Sequence, residues 1–196
     1  MEDAAALCRD LGHIVDAATP SLDMAALDRS GVIVMAASTR LLIEARAEQL
    51  GRAPGHDDLE PAARAQWEAA GKYSALDYAS AIAACHRAGR QLAAFQAQWD
   101  LILMPTLAQP PVPVGTITTS DVDGEGFRPR SRAFNPFCSL ANRTGVPACS
   151  VPLFWNREGL PVGVQLLARF GDEATLFRIA SQLEQARPWS QRRAPL

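Results

Sequence analysis

Residues 148–153 and 162–167 are two short, largely apolar runs, the second carrying β-branched Val162 and Val164, separated by the turn sequence Arg157-Glu158-Gly159. Runs of this length bounded by turn residues predict two strands joined as a hairpin. Asp172 then supplies a helix N-cap, and Leu176, Ile179, Ala180 and Leu183 follow at i, i+3, i+4 and i+7, the apolar stripe of a helix. A hairpin followed by an amphipathic helix places this end of the chain in the α/β class.

Upstream, Leu101-Ile102-Leu103-Met104 is a continuous apolar run ended by Pro105, which suits a strand buried on both faces of a sheet. Residues 1–100 read as mainly helical. Residues 2–11 form a helix already under way at its second residue, with Ala5, Leu7, Cys8 and Leu11 on its apolar face. Gly12 stops it, and His13-Ile14-Val15 reads as a short strand. Residues 23–50 favour helix, with a break expected near Gly31, where β-branched Val32, Ile33 and Val34 follow. A loop at 51–58 leads to a helix at 59–70 that carries Pro61 in its first turn. Ser74 and Asp77 make a capping box for a long helix whose stripe is Ile82, Cys85, Gly89, Leu92, Phe95 and Trp99. Residues 105–132, rich in Pro, Gly, Thr and Asp, read as a long ordered loop, and 136–143 as a short helix ending at Gly145.

At 196 residues and 48% hydrophobic composition the chain has material for one globular domain with a core. A net charge of -2 with scattered arginines offers no electrostatic footprint for nucleic acid. No apolar run is long enough to span a bilayer and no secretory signal opens the chain, so a cytoplasmic location is expected. Cys8, Cys85, Cys138 and Cys149 are widely spaced, with no C-x-x-C pair and no His at metal-ligand spacing, and read as buried thiols; no metal site and no cofactor are expected.

Asn142-x-x-Gly145-x-Pro147, a strand ending at Val151-Pro152, and Gly159-Leu-Pro-Val-Gly163-Val-Gln165 follow in order within residues 134–172. Together they resemble the C-terminal signature of the amidase signature family of serine amide hydrolases. Residues 2–15 and Leu101-Ile-Leu-Met-Pro-Thr106 are similar to further elements of that family, so almost the whole chain is covered. The resemblance implies the C-terminal part of an α/β/α sandwich with a mixed β-sheet and a helix-rich first half. Residues 1–196 would then be a single partial domain, mainly helical over 1–100, with strand, long loop, hairpin and terminal helix over 101–196. Physically, Gly145 supplies positive φ after a helix, Gly163 permits close backbone approach and Pro161 sets φ at the start of a strand. Asn142 and Gln165 are expected to be buried and hydrogen-bonded to neighbouring backbone.

Amide hydrolysis by serine requires an activated nucleophile, a proton donor for the leaving nitrogen and oxyanion donors. The family takes these from a Ser, a Ser on a cis peptide bond and a Lys in a Gly/Ser-rich N-terminal part. This chain has no Gly-Gly and no Ser-Ser, and its single lysine, Lys72, sits in no such motif and reads as a surface charge. No catalytic residue is therefore assigned. Cys138, Ser139 and Ser150, with His13, His56 or His86 as base, have no spacing that supports a triad.

The resemblance assigns this part to the substrate side, with Thr106, Ile117, Phe134, Asn135 and Phe137 as pocket residues suited to a hydrophobic or aryl amide. Arg128, Arg130 and Arg132 alternate within the long loop as a carboxylate clamp or, more simply, as solvated charge. The expectation is a portion of an amide hydrolase that is inactive without its N-terminal part. The competing expectation is a non-catalytic remnant or binding module that keeps the fold. Either way, exposed strand edges and an uncovered apolar face predict association with itself or a partner.

Overall fold

The computed structural model describes residues 1–120 and 126–195. They form two compact units, one from the described residues of Met1–Leu22, Gly89–Pro111 and Phe134–Leu196, the other from those of Asp23–Ala88 and Val112–Ala133.

The first unit is built on a three-stranded sheet of β1 (Leu101–Pro105), β2 (Ala148–Trp155) and β3 (Pro161–Ala168), in the order β1-β3-β2. Both pairings are antiparallel, and β2 and β3 make the expected hairpin. Asn156 closes its turn: its side-chain oxygen accepts the N–H groups of Glu158 (3.0 Å) and Leu160 (2.8 Å). Strand periodicity then sorts the side chains. Val151, Leu153, Val164, Leu166 and Ala168 bury one face of the sheet in a core shared with Ala4 and Cys8 of α1 (Glu2–Asp10) and Leu176, Ile179 and Leu183 of α7 (Glu173–Ala186). Burying each such leucine contributes about 1.5–3 kcal/mol. The Asp172 carboxylate caps α7 as its sequence requires, accepting the Thr175 N–H at 3.3 Å and the Thr175 hydroxyl at 2.7 Å.

Two expectations for this unit are corrected. Among the described residues β1 is an edge strand of the sheet, and it is half-buried along its length, not buried on both faces. His13-Ile14-Val15 is not a strand. The chain leaves α1 through Gly12 (φ 92°), and the His13 N–H bonds back to the Cys8 carbonyl at 3.0 Å. Arg9 then occupies the Val15 carbonyl at 3.0 Å, and Ile14 is 88% exposed, so no sheet ladder is made there.

The second unit is helical. α2 (Met24–Leu50) begins at Asp23, whose carboxylate accepts the Ala26 N–H at 2.9 Å, and ends at Gly51 with φ 64°. It runs without the break expected at Gly31. Ser30 is buried and donates its hydroxyl to the Ala26 carbonyl at 2.8 Å, and 32–34 are half-buried, so packing overrides the weak local propensity. α3 (Pro61–Ala70) starts on its proline and meets α2 through a Thr39–Gln66 hydrogen bond of 2.8 Å. Ser74 and Asp77 cap α4 (Ala75–Gln96) reciprocally, the Asp77 N–H reaching Ser74 Oγ at 3.1 Å and the Ser74 N–H reaching Asp77 Oδ2 at 2.8 Å.

α4 contributes its residues up to Ala88 to this unit and those from Gly89 to the first. Its fully buried line is Ala81, Ala88, Leu92 and Gln96; Ile82, Cys85, Gly89 and Phe95 of the expected stripe are half-buried, and Trp99 lies beyond the helix. The long loop also ends sooner than expected, because α5 (Phe127–Phe134) is helical, with Pro129 tolerated in its first turn. Of that loop, residues 121–125 lie outside the described residues. No helix among the described residues is long and apolar enough to cross a membrane.

Candidate functional site

The face of the sheet opposite the α1/α7 core carries a cluster of small polar groups. Thr106 follows β1 directly, and its N–H donates to the Gly163 carbonyl at 3.2 Å. That bond sets the Thr106 side chain beside Ser150 of β2, with the two hydroxyl oxygens 2.6 Å apart. Gly163 makes the approach feasible: a Cβ there would stand 2.8 Å from Thr106 Oγ1 and 2.9 Å from Ser150 Oγ. In the strand register Ser150 pairs with Gln165, a side chain only 3% exposed.

Helix α6 (Ser139–Thr144) completes the cluster from its N-terminal side and finishes at Gly145 with φ 78°. Cys138, the residue before it, donates its thiol to Gln165 Oε1 at 3.3 Å and to the Thr106 carbonyl at 3.5 Å. Its backbone N–H reaches Asn135 Oδ1 at 3.4 Å. Gln165 is thus buried as expected, but its oxygen meets a thiol and not backbone. Asn142 departs from expectation altogether, because it lies on the exposed side of α6.

Of the five expected pocket residues, Thr106 and Asn135 are joined through Cys138. Phe134 ends α5, and its carbonyl accepts the Ala108 N–H at 3.1 Å, which ties the segment after Thr106 to the segment before α6. Phe137 is half-buried and anchors the first turn of α6 through Leu140 at 3.2 Å. Ile117 is half-buried in the other unit. Ser150 and Gln165 were not in the expected pocket set. The signal for them is the period-2 pattern that places Ser150, Gly163 and Gln165 on one face of the hairpin.

A Thr/Ser hydroxyl pair uses one O–H internally and keeps one donor and several lone pairs, so the cluster can both donate to and accept from an amide. Among the described residues it contains no base to activate either hydroxyl. His13 is exposed and bonds Gln182 at 2.7 Å, His56 is exposed beside Asp57, and His86 is exposed on α4. Lys72 is likewise exposed. Cys149 turns to the core side of β2, where burial pushes its thiol pKa up, as it does for Cys8. The alternating arginines are helical, not part of a loop: Arg128 and Arg132 sit one turn apart on α5, and Arg132 is ion-paired with Asp28.

A family model described as Amidase matches residues 1–177. Over 98% of its length the chain is 33% identical to a 6-aminohexanoate-cyclic-dimer hydrolase of Paenarthrobacter ureafaciens, and over 56% it is 39% identical to a putative amidase AmiC of Mycobacterium leprae. The solved structure of 6-aminohexanoate cyclic dimer hydrolase superposes on 98% of the chain with a TM-score of 0.86 at 27% identity. That of a bacterial aryl acylamidase of the amidase signature family shares the fold, with a TM-score of 0.77 over 97% of the chain at 24% identity. The chain spans about 41% of the length of the cyclic dimer hydrolase.

Proposed function

Because the chain belongs to the amidase family, we propose that it is the C-terminal portion of an amidase-like enzyme, one partial domain whose activated nucleophile comes from an N-terminal part. The family match over residues 1–177, set against a length of about 41% of the cyclic dimer hydrolase, carries this reading. The reaction is hydrolysis of a carboxamide C–N bond, and the chain's share of it is to hold the substrate. Thr106 and Asn135 orient the amide by hydrogen bonds, while Phe134 and Phe137 supply apolar contact. The name of the cyclic dimer hydrolase supports a small amide substrate with an apolar body.

Phe170 (78% exposed) and Phe177 (75% exposed) support association of the first unit with an N-terminal part or a second copy. We place the enzyme in the cytoplasm.

The test is to treat the chain with a serine-reactive fluorophosphonate and a small aryl amide, alone and coexpressed with the N-terminal segment of the Paenarthrobacter relative. Neither labelling nor turnover is expected alone, and both are expected in the complex, with the label on the added segment. Labelling and turnover by the chain alone would overturn the reading. A stable complex with neither signal would favour a binding module that keeps the fold.

A further inference from the structure

The register of the hairpin shifts between Val151 and Phe154, and beyond the shift Phe154 and Trp155 face the segment that follows α7 across a cleft of about 380 Å³. Trp189 and the guanidinium-bearing Arg187 and Arg192 line it from that segment. Phe154 and Trp189 also pack against the hydrophobic core, so two of the aromatic walls are held from behind.

Each arginine lies over an aromatic ring. The Arg187 guanidinium carbon lies 4.6 Å from the centroid of the Phe154 ring, and that of Arg192 lies 4.4 Å from the Trp155 ring. A guanidinium held over a ring face by its charge can still present N–H donors to an anion. Among the described residues neither group is paired with a carboxylate, whereas Arg40, Arg52, Arg132 and Arg169 all are. The lining includes two cations and no acid. Two unneutralised donor forks beside indole and phenyl surface make a recognition site for an anion that carries a flat apolar body.

We propose that this cleft binds a small aryl oxyanion, a carboxylate or a phosphate, with Arg187 and Arg192 holding the oxygens and Trp155 and Trp189 flanking the ring. The proposal does not rest on the amide-hydrolase reading, and its test does not read activity. The full chain is titrated with benzoate and with phenyl phosphate while the indole N–H signals of its tryptophans are followed by NMR.

Saturable shifts of Trp155 and Trp189, with Trp67 unmoved, are expected for at least one of the two ligands, and which one responds identifies the oxyanion. Benzamide, the neutral analogue of benzoate, should bind at least about tenfold more weakly. The double variant Arg187→Gln/Arg192→Gln should lose the response while keeping the Trp67 signal and the thermal midpoint of the parent. Equal binding of benzamide, undiminished binding by the folded double variant, or no shift with either oxyanion would overturn the proposal. Inorganic phosphate binding as tightly as phenyl phosphate would overturn the part assigned to the rings.

Discussion

Thr106 Oγ1 and Ser150 Oγ lie 2.6 Å apart over Gly163, at the one position of β3 where a Cβ would collide with both oxygens. A strand-end threonine, a β2 serine and a β3 glycine therefore act as one unit. Gly163→Ala should separate the hydroxyls and destabilise the first unit by about 1–3 kcal/mol. Adding Ser150→Ala should recover part of that loss. Urea unfolding followed by tryptophan fluorescence measures both, and a Gly163→Ala variant as stable as the parent would show that the close approach is not obligatory.

Leu183 is fully buried where α7 meets the sheet. Leu183→Ala should cost about 2–5 kcal/mol, because the cavity is walled by strand residues that cannot collapse into it. The urea midpoint gives the value, and a loss under about 1 kcal/mol would contradict the packing described here.

Gln96 is 1% exposed, and neither its side-chain nitrogen nor its side-chain oxygen has a hydrogen-bond partner among the described residues. A buried amide without partners opposes folding, so Gln96→Leu should raise stability by about 1 kcal/mol or more. Its backbone carbonyl still accepts the Arg169 Nε–H at 3.0 Å, a bond the substitution leaves intact. A fall in the unfolding midpoint would mean that the amide makes a bond this arrangement does not show.

The Arg52 guanidinium and the Gly55 N–H hold the Asp58 carboxyl at about 2, below its ordinary 3.8. A depressed acid pKa stabilises the fold fully above the unfolded value and loses that contribution as pH falls toward the folded one. The second unit should thus lose this support between pH 3.8 and about 2, and Asp58→Asn should flatten that limb. Carboxyl carbon NMR reads the titration directly; a midpoint at the ordinary value would reject the pairing.

Burial raises the thiol pKa of Cys8 and Cys149, so both should alkylate more slowly than a free thiol at mildly alkaline pH. Iodoacetamide labelling read by peptide mass spectrometry tests this. Labelling of either at the rate of glutathione would place that cysteine outside the core.

The features legible in the sequence were those with a local cause. Asp172 and the Ser74/Asp77 pair cap their helices because a side-chain oxygen reaches an N–H three residues on, which needs no distant partner. Gly12 and Gly145 take positive φ after helices for a similarly local reason. The misjudged features turned on bonds and packing that composition does not show: Arg9 and the Cys8 carbonyl take the backbone groups of Val15 and His13, Ser30 is buried within α2, and Arg132 of α5 pairs with distant Asp28. Gly31 lies in an unbroken helix, His13-Ile14-Val15 makes no ladder, and α5 forms where the composition suggested loop.

By itself the sequence determined the order of the elements from the hairpin onward, the family they resemble and the absence of a recognisable Gly/Ser-rich catalytic loop, because capping, periodicity and motif spacing are written along the chain. Only the tertiary structure decided that Thr106 meets Ser150, that Cys138 closes on Gln165 and that two C-terminal arginines lie over β2 aromatics. Those partners lie tens of residues apart, and strand register and helix packing, which bring them together, arise from burial of the whole sheet face and not from any local preference.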